Sequence, residues 1–211
     1  MDIETLNPHV MKILIAARKK DSISAISKRI LLSYGWTNKW IHELISEGIF
    51  KEVWRGVILE NSNNYKKLIR LIKEAVGEVS FYYYFLKFSG LAYCLTNTDA
   101  VYVWTDGRYN IARYRDYYPI YVKIKKSDYD QFLEYAVQLE LQINKGKGVF
   151  FVPLIMEKFN FEERKGYKVE PLKETISFMK KNFYNFQPAL EMIQDKYNKR
   201  LNVKYQEAKL I

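Results

Sequence analysis

Asn38, Lys39, Trp40, His42 and Glu43 crowd one short stretch of the chain, and Arg55 follows it beside a glycine. Amide, ammonium and carboxylate groups at this density can read base edges. Asparagine bonds adenine through two atoms, lysine bonds guanine O6 or N7, and glutamate accepts from cytosine N4. A guanidinium at Arg55 suits phosphates or an adjacent minor groove. Lys28 and Arg29 add two cations just upstream. Plainer roles exist for some of these groups: Trp40 can pack inward, and His42 and Glu43 can belong to a solvated helix face.

Other chemistries find fewer residues. The only histidines are His9 and His42, far apart in sequence, so neither a Ser-His-acid triad nor a histidine-bearing zinc site assembles readily. Neither GxxxxGK[ST] nor GxGxxG occurs. Ser89-Gly90-Leu91-Ala92-Tyr93 followed by Asn97-Thr98-Asp99 faintly resembles the start of a nucleotidyltransferase site, but the residue two after Asp99 is Val101, where the two-metal reaction needs a second carboxylate. A nuclease pattern of acid and lysine two apart on a strand fails at Tyr121, before Val122-Lys123. No catalytic residue, metal ligand or cofactor is assigned. Asp128 and Asp130 read as acids favouring a helix dipole behind the cap Ser127.

The elements that must position the polar stretch follow from periodicity. Ile26, Ile30 and Leu31 line one face of a helix, with Lys28 and Arg29 opposite. A Tyr34-Gly35-Trp36-Thr37 turn then leads to a second helix, capped by Thr37, with Ile41, Leu44 and Ile45 inward and Gly48 at its left-handed end. Ile49 to Trp54 and Val57 to Leu59 read as two strands turned by Arg55-Gly56. Together these outline a winged helix-turn-helix, in which the second helix enters the major groove.

From Asn7 to Leu59 the chain resembles the N-terminal winged-helix domain of AbiE-type antitoxins, the transcriptional regulators of type IV toxin–antitoxin systems. The resemblance rests on Leu44, Ile45, Gly48 and Ile49, then Arg55, Gly56 and Val57. It covers a quarter of the chain and departs from the family at Ile58, where Tyr is frequent. It implies a repressor that binds repeats in its own promoter, with double-stranded DNA and a cognate toxin protein as partners.

The expected fold class is α+β: a winged helix-turn-helix over 1–60, a linker helix over 61–78 and a mixed domain over 79–211. The linker helix carries Tyr65, Leu68, Ile69, Ile72 and Val76 inward and Lys66, Lys67, Arg70 and Lys73 outward, and ends near Gly77. Beyond it, 80–95 reads as a buried helix interrupted by Gly90. Ala100 to Thr105, Pro119 to Lys125 and Gly148 to Ile155 read as strands, the last an edge because of Pro153. Helices are expected over Asp128 to Leu141, Leu172 to Lys181 and Pro188 to Lys199.

With 211 residues, 48% of them hydrophobic, the chain can bury a real core. It has neither an 18-residue apolar run nor the features of a signal peptide at its start, so a soluble cytoplasmic protein with no membrane partner is expected. The single cysteine, Cys94, reads as a buried inert thiol. Net charge is +10, which favours a polyanion, but residues 1–60 supply only +2 of it and 61–211 supply +8. A second nucleic-acid surface is therefore sought in Gly107 to Lys126, where Arg108, Arg113, Arg115, Lys123 and Lys125 alternate with five tyrosines. Two alternatives stay open beside a DNA-binding regulator. One is a nucleic-acid-processing enzyme that uses the winged helix for targeting; the other is a protein-docking module anchored by Trp36, Trp40 and Trp54.

Overall fold

The computed structural model of the chain describes residues 7–60, 62–114 and 116–204, with main chain only at Ser62. It is a mixed α+β protein with two sheets. In chain order come α1 (Pro8–Ala16), β1 (Lys20–Ser22), α2 (Ile23–Ile30), α3 (Tyr34–Ser46), β2 (Phe50–Trp54), β3 (Val57–Glu60), α4 (Ser62–Val76) and α5 (Glu78–Phe88). Then follow β4 (Tyr93–Leu95), α6 (Asn97–Trp104), β5 (Tyr117–Lys125), α7 (Tyr129–Gln138), β6 (Gly148–Met156), β7 (Glu162–Arg164), β8 (Tyr167–Val169), α8 (Leu172–Lys181) and α9 (Phe183–Tyr197). Among the described residues no helix is long and apolar enough to cross a membrane.

Packing divides the chain into two compact units, Met1–Leu91 with Asp128–Gln142, and Ala92–Ser127 with Ile143–Ile211. The boundary expected at residue 60 therefore falls inside the first unit, because α4 packs on α1 and α5 instead of standing as a linker.

In the first unit, Asn7 caps α1 by accepting from the backbone of His9 and Val10, and Val10, Ile13, Leu14, Ile15 and Ala16 are all buried. A helix sunk this deeply cannot leave its last carbonyls bare. Tyr65 Oη donates to Leu14 O at 2.6 Å, Tyr135 Oη donates to Ala16 O at 2.6 Å, and Gln138 Nε2 donates to Ala17 O at 2.9 Å. The side chains that close α1 thus come from α4 and α7, which brings α7 into this unit. Just past the end of α7, Glu140 takes a left-handed φ of 51° while Leu141 N–H bonds Ala136 O. The carboxylate of Glu140 accepts two bonds from Arg70.

Sheet order in this unit is β1-β3-β2, antiparallel throughout. The sequence did not announce β1, whose Lys-Asp-Ser carries no apolar alternation. Asp21 is nevertheless buried: it accepts from the backbone of Arg18 and Ser22 and from the Arg29 guanidinium. Helix α3 begins four residues earlier than expected. Ser33, not Thr37, is the cap, accepting from Trp36 N–H, while Thr37 is buried and donates its hydroxyl to Ser33 O. The break from α2 is Leu31, in the left-handed region at φ 54°, rather than a turn at 34–37. Gly48 ends α3 at φ 69°, with Ile49 N–H returning to Leu44 O.

The second unit holds a five-stranded sheet in the order β6-β5-β4-β8-β7. Ile120, Val122 and Ile124 of β5 are fully buried, the expected alternation, and β6 with Pro153 is an edge strand. The strand expected over Ala100 to Thr105 is instead part of helix α6, through Trp104, followed by its cap Thr105: Ala100, Val101, Val103 and Trp104 are buried, and helical packing overrides their β propensity. The helix expected to continue to residue 95 stops at Phe88, and Tyr93–Leu95 pairs with β5 as strand β4. Helix α9 starts at Phe183, five residues before Pro188, which sits inside it. The β7-β8 hairpin, turned by Lys165-Gly166 with both φ angles positive, had not been read from the sequence.

Candidate nucleic-acid interface

Helix α3 buries Ile41 and Leu44 and turns Lys39, His42 and Glu43 to solvent, with Asn38 and Trp40 half-buried at its margins. Trp36 is 55% exposed although it is held on two sides. His9 stacks on it at 6.0 Å between ring centroids, and Trp40 stacks on it at 6.5 Å. The Lys39 ammonium lies over both indoles, 5.4 Å from Trp36 and 5.2 Å from Trp40. Residues three and four apart meet on a helix face, so the Trp36, Lys39 and Trp40 spacing builds this cluster locally.

The β2-β3 hairpin exposes Lys51, Glu52, Val53, Trp54 and Arg55, and Trp54 reaches 76% exposure. Its turn needs glycine, since Gly56 has φ +72°. Glu52 accepts from Gly56 N–H at 2.9 Å, and Gly56 O accepts from Ile23 N–H at 3.0 Å, which fixes the turn to the start of α2. The turn also lies beside the start of α3: Tyr34 Oη is 3.9 Å from where a Cβ on Gly56 would stand. The hairpin tip and the first turn of α3 thus form one neighbourhood. On the elements of this unit Lys28, Lys39, Lys51 and Arg55 are exposed, and none makes an ion pair among the described residues.

Arg29 requires a correction. It was placed on the outer face of α2 beside Lys28, but its side chain is only 11% exposed and pairs with buried Asp21. A Cβ on Gly90 would meet Arg29 Cγ at 2.7 Å, so the guanidinium stem is packed against the backbone there. A buried carboxylate must be compensated, and Arg29 is the compensation.

The stretch from Gly107 to Lys126 is likewise divided. Arg108 and Lys125 are exposed cations of the second unit, and Arg115 lies outside the described residues. Arg113 is not a surface group: it pairs with Asp99 at 2.5 Å, the two side chains being 1% and 0% exposed. Thr98 and Asn110 accept from the same guanidinium, and its centre lies 4.9 Å from the Tyr118 ring. Lys123 is the second correction, bonded to Glu170 at 2.5 Å and reaching Glu174 at 3.4 Å. Burial alone would lower its ammonium, but the hydrogen bond and charge of Glu170, with help from Glu174, carry it above its ordinary value. Lys123 is therefore spent inside the fold.

Asp99, the carboxylate noted in the faint nucleotidyltransferase pattern, also accepts from Tyr121 N–H at 2.7 Å. Its lone pairs serve the Arg113 pair and the start of the β4-β5 ladder. Among the described residues no group of three or more His, Cys, Asp and Glu side chains converges as a metal site would require. Cys94 is buried, and burial pushes its thiol up to about 12, so it carries no thiolate near neutrality.

The sequence reading missed Tyr34, and took Trp36 and Trp54 only as protein anchors. Their exposure followed from the true start of α3 and from a hairpin whose two faces are both wet. No protein-family model and no curated protein matches this sequence.

Proposed function

We propose that the protein is a sequence-specific, double-stranded-DNA-binding regulator, an antitoxin-like autorepressor without catalytic activity, and that residues 7–60 form its winged helix-turn-helix. The order α1-β1-α2-α3-β2-β3 with an antiparallel β1-β3-β2 sheet supports this reading. One observation carries it: α3 turns Lys39, His42 and Glu43 outward beside a hairpin whose exposed Arg55 belongs to the same neighbourhood. In such a module the helix meets base edges and the hairpin tip meets phosphate or minor groove. Lys28, Arg108 and Lys125 would add phosphate contacts without sequence preference. A toxin partner remains an implication of the family resemblance alone.

Fluorescence anisotropy on a duplex carrying the upstream promoter of its own gene tests the reading, with a shuffled duplex of equal length as competitor. Preference for the promoter and affinity that falls steeply with salt are expected. A second reading, in which the exposed Trp36 and Trp54 dock a protein, is favoured by those rings alone. Absence of any salt-dependent binding to either duplex would reject the regulator and leave the docking reading.

A further inference from the structure

We propose that Tyr34-Gly35-Trp36, the first turn of α3, reads thymine methyl groups on the major-groove floor, with Gly35 at the point of closest approach. The inference rests on the DNA-binding reading above and names what that face recognises.

Tyr34 is 52% exposed, so two large rings stand in solvent on either side of a residue with no side chain. Exposed aromatics are common, but Trp36 is not a loose one. His9 and Trp40 hold its ring from two sides, and Lys39 lies over it. A ring already fixed loses little freedom when a partner arrives, which is the property of a contact residue.

Gly35 adds an independent observation. It is the second residue of α3, in the first turn, where alanine would serve the helix at least as well. Its φ is not positive, and a Cβ built on it meets nothing within 4 Å. Nothing in this fold requires the missing side chain. The space beside Gly35 is open to a partner.

The choice of ligand follows from charge and chemistry. Lys39 lies over Trp36 and exposed Arg55 precedes Gly56, which is near Tyr34, and these cations suit a polyanion better than an apolar protein patch. In the major groove the one apolar group offered by the bases is the 5-methyl of thymine, and apolar side chains at the start of a recognition helix are placed to touch it. The phenol of Tyr34 and the indole of Trp36 supply that apolar surface, and Gly35 lets the backbone come near the base edge.

The test uses the full chain and the upstream promoter duplex, synthesised once with thymidine and once with deoxyuridine throughout, which removes only the methyl groups. Wild type is expected to bind the uracil duplex about tenfold more weakly. Trp36→Ala should narrow the difference between the two duplexes, and the double variant Tyr34→Ala, Trp36→Ala should bind them about equally. Gly35→Ala should melt at the wild-type temperature or higher, yet lose about tenfold in promoter affinity, since the added methyl would stand where the base edge must approach. Equal affinity of wild type for both duplexes overturns the inference while leaving DNA binding intact. So does a Gly35→Ala variant that binds as wild type does. Loss of all salt-dependent binding in wild type would instead remove the DNA reading and this inference with it.

Discussion

The two units of the chain carry their cations differently. The first holds 14 Lys and Arg against 13 Asp and Glu, whereas the second holds 20 against 11. Charge alone would assign polyanion binding to the second unit. Yet Arg113 and Lys123, two of its five cations singled out from sequence, are consumed by buried or half-buried carboxylates. In the nearly neutral first unit, Lys28, Lys39, Lys51 and Arg55 are exposed and outside any ion pair among the described residues. Net charge sets long-range attraction, but a contact needs a cation that is not already neutralised by its own fold.

The largest effect expected from this contrast is structural. Arg113→Ala should cost about 3–5 kcal/mol of stability, because it leaves the Asp99 carboxylate buried and uncompensated. Chemical denaturation reads this directly. A variant as stable as wild type but weaker on DNA would return Arg113 to the surface and break the comparison.

Lys39→Ala and Arg55→Ala should each weaken promoter binding by about 1–3 kcal/mol if the groups meet bases, and change stability little, as both are exposed. Unchanged promoter affinity of the double variant would move the interface away from α3 and the hairpin. In the second unit, Arg108→Ala and Lys125→Ala should each lower the slope of log affinity against log salt by about 1, without altering sequence preference. Lys123→Ala should leave that slope as it is, since the Glu170 and Glu174 carboxylates already occupy its ammonium.

The smallest effect concerns acid. Lys196 and Lys165 donate to Asp106 and hold its carboxyl down to about 2. A depressed carboxylate stabilises the fold above its unfolded value of about 3.9, and that contribution is lost as pH falls through about 2. Asp106→Asn should flatten the melting-temperature profile within that window only. Solvent screening keeps the difference small, because Asp106 is exposed. A profile equally steep in the variant would detach Asp106 from the stability of the second unit.

How much of the fold could be read in advance depended on the reach of each signal. Helix α8 appears over Leu172–Lys181 with the bounds expected, and α4 ends at Val76 before Gly77. Gly48 and Gly56 take the left-handed conformations their places demanded. The residues of α6 misled because Val, Tyr, Val and Trp in sequence favour a strand until burial on several sides selects a helix. At the candidate interface, the outward face of α3 was legible from Ile41 and Leu44, but its first turn was not. Ser33 and Thr37 are both good caps, and only the packing of Thr37 into the core decides between them.

By itself the sequence determined the features that repeat within a few residues: helical stripes, the alternation along β5 and turns that need glycine. Only the tertiary structure decided which cations are spent and which are free. Arg29 meets Asp21 eight residues away, Lys123 meets Glu170 forty-seven away, and α7 crosses back to close the end of α1. Those partners are set by where the folded chain returns, and a buried charge is stable only beside the group that compensates it.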